Sequence, residues 1–154
     1  MAVKILLADD HEIVLEGIRN LVGRSKRPWE ICGEAANGEQ AVSMLKSLKP
    51  DLVVLDITMP TLSGLEAARQ IAVLENKPKI LMFTMHESGR LGIEAREAGA
   101  QGFVLKSEAA RDLIRAIETL LEGKTFFGGP PETEAPAEPK RRFGLWCVMS
   151  PSFA

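Results

Sequence analysis

Cysteine is scarce: Cys32 and Cys147 are the only two in 154 residues, far apart and in dissimilar surroundings. They suggest neither a disulfide framework nor a zinc site, and Cys32 is most simply a small apolar side chain for a core. Long hydrophobic runs are missing as well. No apolar stretch approaches the roughly 18 residues needed to cross a bilayer. The opening MAVKILLADD meets two aspartates at once, which a secretory signal does not do before its small-residue cleavage site. A cytoplasmic protein is expected. Charge of either sign is not in large excess, with 19 Lys and Arg against 21 Asp and Glu, so global electrostatics provide no drive toward nucleic acid or an anionic membrane. Neither GxGxxG nor GxxxxGK[ST] follows the first apolar run, which argues against a nucleotide-binding enzyme.

What is present suits one globular domain with a tail: 45% of side chains are hydrophobic and 26% charged. From Val3 to about Phe127, short β-rich apolar runs alternate with stretches of helical periodicity. VKILLA (3–8), WEICGEA (29–35), DLVVLD (51–56), KILMFT (79–84) and GFVLK (102–106) are predicted strands. The first, third and fourth are nearly continuous apolar runs, as parallel strands covered on both faces require, whereas WEICGEA alternates and is expected at an edge. Between them, Val14, Ile18, Leu21 and Val22 form a one-faced helical stripe, repeated by Ala41, Met44, Leu45 and Leu48 and by Leu113, Ile114, Ile117, Leu120 and Leu121. Asn37-Gly38 marks the entry to the second helix, and Gly99 and Gly123 stand at expected helix ends. The fourth helix, from about Glu87 to Ala98, is weak because Gly89 and Gly92 lower its propensity. Five strands and five helices in alternation imply right-handed crossovers and an α/β fold, a doubly wound parallel sheet with helices on both faces.

In such sheets, sites lie outside the carboxyl ends of the strands, near the switch in strand order. The first run ends in Asp9 and Asp10, two like charges side by side, which costs free energy unless something cationic is near. The third ends in Asp56, the fourth in Thr84 and the fifth in Lys106. Singly, an Asp after a strand is usually a turn or cap residue, a Thr a β-former and a Lys a solvated cation. Four strand ends that all suit a phosphoryl group and a divalent cation point to a site.

DD at Asp9-Asp10, LVVLDITMPTLSGLE around Asp56, FTMHE at Thr84 and GAQGFVLKSE at Lys106 resemble the receiver domain of bacterial two-component response regulators. The resemblance covers Met1 to about Phe127. ADDHEIVLEGI, TMHE and VLKSE are most similar to the NarL/FixJ subfamily, whose receivers precede a LuxR-type helix-turn-helix. It implies a CheY-like (flavodoxin-like) five-stranded sheet in the order 2-1-3-4-5. It also implies that Asp56 is the phosphoacceptor, attacking the phosphohistidine of a sensor histidine kinase. Transfer of this kind depends mainly on alignment and charge stabilisation. Asp10, Asp56 and the backbone carbonyl of Thr58 are implied ligands of Mg²⁺, with Asp9 reaching it through water, an oxygen-only set that suits a hard cation. Without the cation, at least one of these carboxyls is expected to have a raised pKa. Lys106 is implied to contact one phosphoryl oxygen and Thr84 to donate its hydroxyl to another. Phe103 corresponds to the aromatic whose rotamer tracks activation, the alternative being a simple core aromatic. Movement of the threonine and this ring is implied to reshape the surface made by the fourth helix, fifth strand and fifth helix, through which a homodimer is also expected.

Two departures from the family pattern stand out. Ser107 replaces a proline common after the lysine, and Met85 replaces a small residue after the threonine, which is expected to narrow access to the acceptor. Thr58 and His86 are expected to flank the path of hydrolytic water. His11 and His86 are read as surface or supporting residues, since neither has a second ligand at metal-binding spacing. No enzymatic turnover is expected beyond self-catalysed phosphotransfer and autodephosphorylation. DIT at Asp56 lacks the second acid of an aspartyl-phosphatase DxD, which counts against a Mg²⁺-dependent phosphohydrolase.

After the receiver (1–127), GGPPETEAPAEPKRR (128–142) reads as an extended linker, and 143–154 as a short tail. The closing RRFGLWCVMSPSFA is too short for a helix-turn-helix. Loss of a DNA-binding head, a frameshifted end and a genuine C-terminal peptide are three readings, the first favoured because a linker persists without cargo. The leading function is a receiver whose parent regulates transcription. The alternative is a stand-alone receiver acting by protein contact or as a phosphate sink. Lys140, Arg141 and Arg142 allow only weak, salt-sensitive phosphate contact. In an electrophoretic retardation assay the 154-residue chain is therefore expected to form no sequence-specific DNA complex, and a complex persisting at about 0.2 M salt would contradict this.

Overall fold

The computed structural model describes residues 2–85 and 89–127. His86, the start expected for the fourth helix, and the linker and tail expectations fall outside them. The element order is β1 (Val3–Ala8), α1 (Glu12–Arg24), β2 (Trp29–Ala35), α2 (Gly38–Leu48), β3 (Leu52–Asp56), α3 (Gly64–Ala72), β4 (Lys79–Thr84), α4 (Gly89–Glu97), β5 (Gly102–Leu105) and α5 (Ala109–Leu121). All strands pair in parallel in one sheet ordered β2-β1-β3-β4-β5, as the resemblance implied. Two strand ends differ from the sequence reading by one residue. Asp51 precedes β3 because its carboxylate accepts the Lys4 backbone N–H at 2.8 Å. Lys106 lies beyond β5 because it opens a short 3₁₀ turn, Lys106–Glu108.

Strand periodicity divides the core into two layers, since successive side chains point to opposite faces. Leu6, Ala8, Val53, Leu55, Ile80 and Met82 face α2, α3 and α4. Their sequence neighbours Ile5, Leu7, Leu52, Val54, Leu81 and Phe83 face α1 and α5. Residues of both parities are buried, hence the near-continuous apolar runs. The helical stripes land as their spacing requires, with small rotations. Leu15, Ile18 and Val22 are the buried apolar set of α1, and Leu113, Ala116, Ile117 and Leu120 that of α5. Val14, Leu21, Ile114 and Leu121 flank them, partly covered. At the sheet edge, β2 carries an irregularity: Ile5 pairs with Ile31 but Leu6 with Gly33, leaving Cys32 as the extra residue. Cys32 is half-buried and packs on the α2–α3 side.

Local capping explains where α2 and α3 begin. The Asn37 side chain accepts the Gln40 N–H, and the Ser63 side chain accepts the Glu66 N–H. Both helices then start on a glycine pressed against backbone. A Cβ on Gly38 would stand 2.3 Å from the Leu62 carbonyl oxygen, and one on Gly64 would stand 2.1 Å from that of Asp56. Gly64 also donates its N–H to the Ile57 carbonyl at 2.8 Å, closing the loop that follows Asp56. Gly64→Ala is therefore expected to lose about 2 kcal/mol or more of stability by forcing that loop open. Gly92→Ala, where nothing lies within 4 Å of the added methyl, is expected to gain about 0.5–1 kcal/mol through helix propensity. Urea midpoints of the two variants check both signs.

Candidate functional site

Four strands of the sheet end in polar residues on one side, and three of them deliver one buried cluster of charge. Asp9 follows β1, and its N–H extends the ladder by donating to the Ala35 carbonyl at 3.0 Å. Asp56 closes β3, paired with Phe83. Thr84 closes β4 opposite Leu105. Lys106 follows β5 and turns its side chain inward. β1 and β3 are neighbours whose connections leave in opposite directions, so the cluster occupies the switch point of the sheet.

Asp9, Asp56 and Thr84 are 2%, 3% and 1% exposed. The Lys106 ammonium, on a side chain 5% exposed, stands 2.6 Å from Asp9 Oδ2 and 3.4 Å from Asp56 Oδ2. Neither of these oxygens has an aligned hydrogen-bond donor; the ammonium faces them as a point charge. Asp56 Oδ1 accepts the Thr58 N–H at 3.3 Å, which sets the Thr58 peptide beside the acid. Burial and, next, the charge of Asp9 raise the Asp56 carboxyl pKa from 3.8 to about 6 against the opposing pull of Lys106 and the Thr58 N–H. One ammonium does not neutralise two buried acids.

Asp10 is more exposed and adds a third carboxylate. One ligand atom from each of Asp9, Asp10, His11 and Asp56 falls within 4.8 Å of the others. Oxygen donors dominate this set, and two of the buried oxygens are poorly satisfied, so the residues fit a hard divalent cation. His11 is closer to the acids than its sequence position suggested. Its backbone N–H donates to Asp9 Oδ1 at 2.8 Å, and its ring Nδ1 lies 3.1 Å from Asp9 Oδ1 and 3.0 Å from Asp10 Oδ1. The imidazole bridges the adjacent carboxylates. The visible signal was adjacency to DD, but spacing rules for metal ligands do not register a histidine that supports ligands.

The loop after Asp56 holds Met59 buried and Thr61 at φ 63, a left-handed conformation uncommon for a β-branched residue. Met85, next after Thr84, is 67% exposed. Phe103 is buried in the layer that faces α4. Ser107 is exposed in the 3₁₀ turn.

The family model of the response regulator receiver domain matches residues 5–118. The chain is 38% identical over 120 residues to the transcriptional regulatory protein YdfI of Bacillus subtilis, covering 78% of this chain and 55% of that protein. It is 36% identical over 124 residues to response regulator UvrY of Escherichia coli, covering 80% and 56% respectively. Among solved structures, a LuxR-family two-component response regulator from Aurantimonas superposes with a TM-score of 0.77 at 39% identity, over 82% of this chain and 89% of that one. The receiver domain of RcsB from Salmonella enterica serovar Typhimurium, in the presence of the phosphomimetic BeF3-, gives 0.76 at 26% identity over 83% and 94%. The chain spans little more than half the length of the curated relatives it matches. No helix among the described residues is long and apolar enough to cross a membrane.

The raised Asp56 pKa links this site to stability. Folding favours the protonated acid, so its stabilising contribution is complete below the unfolded value near 3.8 and is lost as pH rises through about 6. Asp56→Asn, which is always neutral, is expected to exceed wild type by about 1–2 kcal/mol at pH near 7.5 in chelator, the gain fading toward about pH 4. Urea titrations across that range measure it, and a difference independent of pH would contradict the assignment.

Proposed function

The chain belongs to the response regulator receiver-domain family, and from that premise we propose that Asp56 accepts a phosphoryl group from the phosphohistidine of a sensor kinase. The reading is carried by one observation: Asp56, Asp9 and Lys106 arrive from three different strands and share a single buried cluster, with Lys106 within 3.4 Å of both acids. An Asp56 carboxylate oxygen forms the new P–O bond, the P–N bond of the phosphohistidine breaks, and its electron pair returns to the imidazole of the kinase. The surrounding groups align the reactants and stabilise charge. Lys106 faces an equatorial phosphoryl oxygen through a charge-assisted contact, and the Thr84 hydroxyl donates to another. Asp10, Asp56 and the Thr58 carbonyl would hold Mg²⁺, and Asp9 would support it through water. When bound, the ion supplies positive charge to the phosphoryl oxygens and offsets the repulsion among the acids.

In this reading, residues 1–127 form the receiver, 128–142 the linker and 143–154 a tail. The modified state is displayed on the surface of α4, β5 and α5, where Phe103 serves as the reporting aromatic and a second copy binds. Similarity to LuxR-type relatives supports a transcriptional regulator as parent, with DNA contacted through a head domain. Acetyl phosphate with Mg²⁺ is expected to add about 80 Da to the wild-type chain by intact mass spectrometry, and Asp56→Asn to remain unmodified. Equal labelling of that variant would refute the acceptor assignment.

A further inference from the structure

Beyond α5 the chain turns back onto the sheet. Gly123 at φ 88 ends the helix, and Phe126 forms a parallel bridge to Gly102 on the outer edge of β5. Its N–H donates to the Gln101 carbonyl at 3.0 Å, and its carbonyl accepts the Phe103 N–H at 2.7 Å. Gly102 permits this approach, since a Cβ there would lie 3.0 Å from the Phe126 oxygen and closer still to Leu81 and Leu120. The two phenyl rings then diverge as strand neighbours do. Phe126 packs on the α5 side, 5.2 Å from the Arg115 guanidinium, and Arg115 is held by the fully buried Asp112 at 3.3 Å. Phe127 packs in the opposite layer, which contains Phe103, with the Arg96 guanidinium of α4 4.1 Å from its ring. Residues 124–127 thus bind α4, β5 and α5 together.

We propose that this segment is a strap coupling Asp56 to the chain beyond α5, docked while Lys106 holds the two acids and released from both β5 and α4 when Asp56 is modified. The inference rests on the phosphoacceptor reading. Acyl phosphate oxygens compete with Asp9 for the Lys106 ammonium, which stands at one end of a four-residue strand whose other end carries the strap. Ladder pairing transmits displacement along so short an element. α4 is the element free to respond, because Ala95 is the one residue it fully buries among those described, with Leu91 partly covered. Phe127, packed in the same layer and faced by Arg96, is placed to hold it.

Coupling of this kind is reciprocal: loosening the strap must favour the phosphoryl-mimic complex. In the full chain saturated with Mg²⁺ and beryllofluoride, amide exchange at Phe103 and Phe126 is expected to accelerate about tenfold or more. Arg96→Ala, a change at an exposed side chain, and Phe127→Ala are each expected to tighten beryllofluoride binding about threefold to tenfold. Unchanged protection of both amides in the saturated wild type, or Arg96→Ala binding within about twofold of wild type, overturns the strap while leaving the acceptor reading intact. Failure of wild type to bind beryllofluoride at all overturns both, and that measurement distinguishes the two failures.

Discussion

A single ammonium shared by two buried carboxylates governs the functional end of this protein. Lys106 lies against Asp9 and within ion-pair range of Asp56 in a pocket where all three side chains are almost wholly covered. Desolvating such charges costs several kcal/mol per ion, and one close pair recovers only part of it. The deficit shows in Asp56, whose carboxyl pKa is raised to about 6 by burial and by its acidic neighbour. A fold that keeps this cluster keeps a standing demand for further positive charge. Mg²⁺ meets that demand in the function proposed, and a phosphoryl group redistributes it.

The surroundings are arranged to keep the cluster in place. Thr58 steadies one Asp56 oxygen from the loop, and Gly64 packs against the Asp56 carbonyl so closely that no side chain fits. His11 spans the adjacent acids Asp9 and Asp10. Each of these positions sits next to a strand end rather than within a strand, so the rigid sheet sets distances while short loops set the polar groups. The far end of β5 is held just as specifically by the returning segment at Phe126 and Phe127. One short strand therefore joins the charged cluster to the segment that returns after α5.

Much of this was readable in one dimension because it rests on periodicity and local chemistry. Continuous apolar runs identify strands covered on both faces, and their bounds agree with the structure to within one residue. WEICGEA is at the edge, where its alternation placed it. Asp9, Asp56, Thr84 and Lys106 were visible as polar residues ending apolar runs, and the rule for sheet switch points predicted a shared end of the sheet, where Asp9, Asp56 and Lys106 meet. Where apolar stripes were broad, as in α1 and α5, the exact rotation was not legible: Leu15 and Ala116 became core while Val14 and Ile114 were left at the margin.

Other features depend on groups distant in the chain and close only in space. Nothing in the local pattern of KTFF shows that Phe126 returns to Gly102, because a one-residue bridge carries no periodicity. That Lys106 prefers Asp9 at 2.6 Å to Asp56 at 3.4 Å, or that the Asp56 pKa rises, follows from burial and side-chain direction. Residue types and their order specified the sheet, its layers and the gathering of polar strand ends at one side. Distances, desolvation and the clamp on β5 arose only when the layers closed, since electrostatic energies depend on separations and on excluded water that no linear pattern encodes.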